Sequence, residues 1–246
     1  MTQQSDKVAF ITGANRGIGF ETAKGLGALG IKVILGVRDL NKGKEAVRQL
    51  KNMGVNAEVI SYDTNQAKSA DMAYEYINTH YGKLDILVNN AGMLAESMMG
   101  NNSSSVTTDV LQKTFQTNLF AVIELTQKLL PLIKKAPTGR IVNLSSILGS
   151  LTWHSMLNSP IEPAKAFAYN ASKTALNAYT IHLANELKET NIKVNSAHPG
   201  WVKTELGGAN APMEVLDSAK TSVRLATLDV DGTTGGFFHQ TDILPW

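Results

Sequence analysis

Tyr169 and Lys173 stand four residues apart in a stretch of helical period, so their side chains share one helix face. A phenol beside an ammonium can work as a proton-transfer device. The ordinary phenol pKa is ~10, so cycling at neutral pH asks for a shift of about 3 units, or ~4 kcal/mol. A neighbouring cation favours the phenolate and moves the pKa that way. Ser145 and Ser146 close the apolar run Ile141–Leu144, where a hydroxyl can hydrogen-bond a substrate oxygen as charge develops on it. Capping the strand end is the other use of a serine there. Asn118 lies inside a long helical segment, where an Asn either faces solvent or has a particular task. A proton at oxygen and a hydride at carbon together reduce a carbonyl.

A hydride needs a carrier, and the N-terminal region offers a place for one. Val8-Ala-Phe-Ile-Thr-Gly13-Ala-Asn-Arg-Gly17-Ile-Gly19 runs from a strand through glycines into a helix. Glycines there allow a tight turn and close backbone approach, so helix N-terminal amides can meet a pyrophosphate. The spacing is G-x-x-x-G-x-G, not the commoner G-x-G-x-x-G. Gly25 and Gly27, inside the helix, suit close packing. The second strand ends Gly36-Val37-Arg38-Asp39. Arg38 can fork onto a ribose 2′-phosphate, with Arg16 approaching from the other side. Asp39 reads as the N-cap of the next helix. Two arginines against one capping aspartate favour NADP(H).

The elements that must position these groups alternate. Val8–Ile11, Val33–Leu35, Val55–Ile60, Leu84–Val88, Ile141–Leu144, Ile192–Ala197 and Gly235–Phe238 read as strands buried on both faces. Helical patterns fill the gaps at Arg16–Leu29, Asn41–Met53, Gln66–Tyr81, Thr108–Lys135 and Pro163–Thr190, with Pro163 in a first helical turn. This order predicts an α/β fold: a single-domain, Rossmann-type, doubly wound parallel sheet of about seven strands with helices on both faces. No linker, composition shift or repeat divides residues 1–246. The segments Met93–Ser105 and Leu151–Glu162 are long loops after strands, where a ligand crevice is expected.

Composition narrows the function. The 246 residues are 43% apolar and 18% charged with a net charge of +2, a globular balance that gives no support to a nucleic-acid or membrane-surface partner. No Cys is present, which excludes disulfides and thiolate chemistry. The five His form no metal-ligand spacing, and His182 with Glu186 lacks a third ligand, so no metal is expected. The polar start Met1–Lys7 and the want of any apolar run long enough for a signal or membrane span point to a cytoplasmic protein.

Over essentially its whole length the chain resembles the short-chain dehydrogenase/reductase family. The matching motifs are Thr12-Gly13-x-x-x-Gly17-x-Gly19, Asn89-Asn90-Ala91-Gly92, Asn118, Ile141-Val-Asn-Leu-Ser-Ser146, Tyr169-x-x-x-Lys173 and Pro199-Gly200. Within the family it is most similar to NADPH-dependent carbonyl reductases, whose second strand also ends in Ala/Val-Arg-Asp. The resemblance selects Ser146 over Ser145 through Ser146-Ile-Leu-Gly149. It implies a catalytic set of Asn118, Ser146, Tyr169 and Lys173, with Asn118 perturbing its helix and binding a water in a proton relay. It also implies that Gly13, Asn15, Arg16, Gly17, Ile18, Gly19, Arg38, Ala91, Gly92, Tyr169 and Lys173 contact the cofactor. Asp63 would touch the adenine, Asn90 would steady the strand end, and Pro199, Gly200, Val202 and Thr204 would hold the nicotinamide end. Tyr62, usually aliphatic, and His198, at a variable position, are the small departures.

Ser146 and Tyr169 are 23 positions apart, longer than in compact oligomeric members of the family. Loops 93–105, 150–163 and 200–220 are expected to wall the substrate. Trp153, Met156 and Trp201, with Ser146 and Tyr169, form the expected binding set, and Met98 and Met99 add to it. An apolar wall predicts a ketone or aldehyde with hydrophobic substituents as the small-molecule partner. By resemblance, the extra segment covers a surface that others use to dimerise, which favours a monomer. The alternatives are an NAD-dependent alcohol dehydrogenase and a non-catalytic NADP(H) sensor.

Overall fold

The computed structural model describes residues 6–99 and 102–246. The N-terminal stretch through Ser5, and Gly100 and Asn101 of loop 93–105, lie outside them. Seven apolar runs become parallel strands: β1 (Val8–Thr12), β2 (Lys32–Val37), β3 (Ala57–Ser61), β4 (Ile86–Asn89), β5 (Arg140–Leu144), β6 (Lys193–Ala197) and β7 (Phe237–His239). An eighth, β8 (Asp242–Ile243), adds antiparallel to β7 at the edge; two exposed residues carry no apolar run by which to read it. The order is β3-β2-β1-β4-β5-β6-β7-β8. Chain direction across the sheet reverses between β1 and β4, which opens a crevice beyond their carboxyl ends.

Each continuous apolar strand feeds two cores, because successive side chains leave opposite faces. Ala9 and Ile11 of β1 join Leu26, Leu50 and Leu225 on one side. Val8 and Phe10 join Ile77, Leu125 and Leu183 on the other. Fully burying a side chain such as Phe10 contributes roughly 1.5–3 kcal/mol. The first core is roofed by α1 (Gly17–Ala28), α2 (Leu40–Asn52) and α8 (Lys220–Ala226). The second lies under α3 (Ser69–Tyr81), α5 (Ala121–Ile133) and α7 (Phe167–Glu186). Gly25 and Gly27 pack as expected: a Cβ on either would run into Val223 or Val55.

Three helical boundaries depart from the pattern. The long segment from Thr108 is interrupted: α4 (Thr108–Phe115) passes through a π-turn at Gln116–Phe120 into α5, with the Ala121 N–H reaching back to the Gln116 carbonyl. The helix that carries Tyr169 and Lys173, α7, starts at Phe167, not at Pro163. Residues 159–164 fold into their own turns, the Lys165 N–H donates to the Met98 carbonyl (2.8 Å), and Ala166 (φ −74°, ψ 78°) is out of helical geometry, so the helix does not extend backward. The segment 151–162 holds a short helix, α6 (Leu151–Ser155), started by the Ser150 hydroxyl accepting from the Trp153 N–H.

Candidate active site

The glycine loop leaves β1 at Thr12 and turns into α1 through Gly13 (φ +64°) and Gly17 (φ +58°), both in the left-handed region that glycine adopts freely. A Cβ on Gly19 would stand 2.5 Å from Asn90 Nδ2 and 2.7 Å from the Gly13 carbonyl, so the loop closes only around glycine. Asn90 holds that closure. Its amide donates to the carbonyls of Thr12 (2.7 Å) and Gly13 (3.2 Å), while Thr12 Oγ1 accepts from the N–H groups of Asn90 and Ala91. No side chain caps α1 and no acidic residue sits in its first turn, so its amide end is open to an anion. These residues fit the pyrophosphate of a dinucleotide.

At the ends of the neighbouring strands, Arg38 is exposed just beyond β2, and Asp63 is half-buried just beyond β3. Asp39 caps α2, its carboxylate accepting from the N–H groups of Asn41 (2.9 Å) and Lys42 (3.2 Å). It is therefore occupied, as the sequence reading held. Arg16 is paired with Glu205 across the crevice. Thr204 approaches Gly17, its methyl 3.7 Å from where a Cβ would sit. The segment after β6 thus folds over the glycine loop.

On the other side of the crevice, Tyr169, Lys173, Ser146 and Asn118 are all buried. Lys173 Nζ donates to the Leu144 carbonyl at 2.7 Å and lies 5.7 Å from the centre of the Tyr169 ring. Burial draws the Lys173 ammonium down to about 8. Burial also pushes the Tyr169 phenol up to about 12, against the opposing hydrogen bond with Ser146. Desolvation, and not the lysine, sets the direction of the shift in the absence of a bound cofactor. Ser146 both meets Tyr169 and caps the turn Ile147–Gly149, accepting from the Leu148 N–H (3.2 Å). The capping role expected of Ser145 belongs to Ser146; the Ser145 hydroxyl is buried without a hydrogen-bond partner. Gly149 lies where a Cβ would be 2.8 Å from the Lys173 backbone, which accounts for the glycine of Ser-x-x-Gly.

Asn118 does not face solvent. It sits in the π-turn with Oδ1 accepting from the Met93 N–H (2.8 Å) and Nδ2 donating to the Met93 carbonyl (2.9 Å) and Ser172 Oγ (3.0 Å). Gly92 lies between: a Cβ there would touch Asn118 Oδ1 and Lys173 Nζ at 3.5 and 3.6 Å.

Sequence reasoning noted His198 only as a departure at a variable position and gave it no role. Its Nδ1 accepts from the Ile147 N–H (3.2 Å), its carbonyl accepts from Thr221 Oγ1 (3.2 Å), and its ring is 5.0 Å from that of His239. Burial first, then His239, draws its pKa down to about 3, so it is neutral and binds the Ser146 turn to the Pro199-Gly200 turn. Gly200 is left-handed (φ +95°) beside Met213, and Val202 is buried. No sequence signal marks a lone histidine for this task.

The wall residues are less gathered. Met156 and Trp201 are more than half exposed, and Trp153 is half-buried with its indole N–H unpartnered. Trp201 Nε1 donates to the Gly207 carbonyl. A groove of about 580 Å³ opens elsewhere, on the face of α7 turned away from Tyr169, between Leu151, His154, Phe167, Ala171 and Thr174. Among the described residues no group of three or more His, Cys, Asp or Glu could hold a metal, and no helix is long and apolar enough to cross a membrane.

A doubly wound sheet with this glycine turn and a buried Ser-Tyr-Lys cluster defines a class, and the comparisons agree. Residues 7–214 match the short chain dehydrogenase family, and the chain belongs to it. It is 31% identical to salutaridine reductase of Papaver somniferum, over 96% of this chain and 95% of that one. Carbonyl reductase [NADPH] 1 of Rattus norvegicus is also 31% identical, over 97% and 98%. A structure of NADPH-bound carbonyl reductase from chicken fatty liver superposes with a TM-score of 0.84 at 27% identity, covering 99% of this chain and all of the other.

Proposed function

We propose that the chain, as one catalytic unit, is an NADPH-dependent carbonyl reductase with Tyr169 as proton donor. Relatives named as carbonyl and salutaridine reductases support the class, and an NADPH-bound relative supports the cofactor. The observation that carries the reading is the Tyr169 phenol buried against Ser146, with Lys173 one turn along and its Nζ 5.7 Å from the ring centre. When bound, NADPH would supply the hydride for the carbonyl carbon. Ser146 hydrogen-bonds the substrate oxygen, and Tyr169 gives that oxygen its proton as negative charge builds. The phenolate left behind is stabilised by the Lys173 ammonium until a proton returns by way of the π-turn at Asn118. Arg38, exposed beyond β2, would hold the 2′-phosphate, and the open amide end of α1 would hold the pyrophosphate.

The apolar side chains Trp153, Met156 and Trp201 favour a ketone or aldehyde with hydrophobic substituents, and the segment before α7 favours a monomer. NADPH consumption against ketones, aldehydes and quinones, with Tyr169→Phe as the control, tests the activity. An unchanged substrate profile on replacing the three wall residues by Ala would remove them from the site. A mass near 53 kDa by light scattering, about twice the chain's 26.5 kDa, would overturn the monomer.

A further inference from the structure

The catalytic helix α7 begins without a cap of its own. Its N-cap is Ala166, which offers no side-chain acceptor, and no acidic residue occupies its first turn. The acceptor comes from 73 residues away: Glu96 Oε1 takes the backbone N–H of Tyr169 itself at 3.0 Å. A carboxylate on a first-turn amide is a charge-assisted bond placed at the positive end of a 20-residue helix. The carbonyl of Tyr169 leads to the same loop by another route. Ser172 Oγ donates to it at 2.7 Å, Asn118 Nδ2 donates to Ser172 Oγ, and Asn118 grips both main-chain polar atoms of Met93. A third tie is the Met98 carbonyl, which accepts from the Lys165 N–H just before the helix. Loop 93–99 is therefore fastened to the backbone of Tyr169 on both sides.

We propose that Glu96 is a positioning residue, a cap lent to α7 by the loop expected to wall the substrate, so that the seating of the loop and the placement of the Tyr169 phenol are one event. The proposal rests on the reading of Tyr169 as proton donor. Rotation of the first turn of α7 by a fraction of an ångström moves the hydroxyl relative to Ser146, and proton transfer is steeply sensitive to such a shift. Glu96 touches neither the phenol nor Lys173 in these contacts, and its effect belongs on turnover, not on cofactor binding.

The test compares Glu96→Gln, Glu96→Ala and Glu96→Lys in the full chain, reading kcat and KM for a ketone, the Kd for NADPH and Tm. Gln keeps an acceptor for the Tyr169 N–H and is expected to retain at least half of wild-type kcat. Ala is expected to lose about tenfold in kcat with the NADPH Kd within twofold of wild type, and Lys, which sets a cation against the amide, to lose more. A Glu96→Ala kcat within twofold of wild type overturns the proposal, as does a Gln variant no better than Ala. Adding Glu96→Ala to Tyr169→Phe separates the two readings. If Tyr169→Phe is inactive while Glu96→Ala is silent, only the cap fails; if Tyr169→Phe is fully active, the proton-donor reading itself fails.

Discussion

The two sides of the crevice are made of different material. Around the glycine loop the working surface is main chain: left-handed turns at Gly13 and Gly17, the uncapped start of α1, and carbonyls tied by Asn90. Beyond β5 and β6 it is buried side chains, Ser146, Tyr169, Lys173 and His198, each desolvated and each placed by partners distant in sequence. A backbone surface presents fixed dipoles for a bound anion and tolerates little added volume. A buried side-chain surface stores displaced pKa values, which binding a polar ligand with amides does not require. On the proposed mechanism the first kind of surface holds and the second reacts.

Substitutions on either side probe that contrast. Lys173→Met removes the cation and leaves the buried Leu144 carbonyl unpaired. We expect kcat to fall about 10³-fold, roughly 4 kcal/mol in activation free energy, read by steady-state NADPH consumption. In the wild type, the reduction rate should hold from neutrality to about pH 8 and decline above it as Lys173 loses its proton, while the Tyr169 phenol, at about 12, stays protonated. A pH–kcat profile flat to pH 10 would contradict the assignment.

Next in size is Gly19→Ala on the holding side. Its Cβ would meet Asn90 and the Gly13 carbonyl, costing about 1–3 kcal/mol of stability in a urea melt and weakening NADPH binding. His198 probes the reacting side by stability instead. It is neutral in the fold, at about 3, against an ordinary 6.5, so the unfolded chain binds the proton first. Stability from this group is full above about pH 6.5 and is lost as pH falls from there toward 3, by up to ~1.4 kcal/mol per unit. His198→Asn, which keeps an acceptor for the Ile147 N–H, should flatten that acid limb in pH-dependent melts. Arg38→Asp is expected to have the smallest effect, about a tenfold weaker NADPH affinity with NADH little changed, measured by fluorescence titration.

The holding side was the more legible in the sequence for a physical reason. Its glycines, the flanking apolar run of β1 and the capping Asp39 are local signals, and the structure keeps each where the pattern put it. Tyr169 and Lys173 were also local, one turn apart. What surrounds them was not. The start of α7 moved to Phe167 because residues 159–164 close their own turns and Ala166 is out of helical geometry, with the Lys165 N–H held by a loop carbonyl. The π-turn at Asn118 interrupts a composition favourable to plain helix. The sign of the Tyr169 shift depends on burial, which residue spacing does not encode.

On the proposed mechanism the Tyr169 phenol delivers the proton, so NADPH oxidation by Tyr169→Phe with a reducible ketone is the decisive measurement. The expected result is a kcat lower by 10²–10⁴-fold with an unaltered Kd for NADPH. A Tyr169→Phe enzyme turning over within tenfold of the wild type would contradict it.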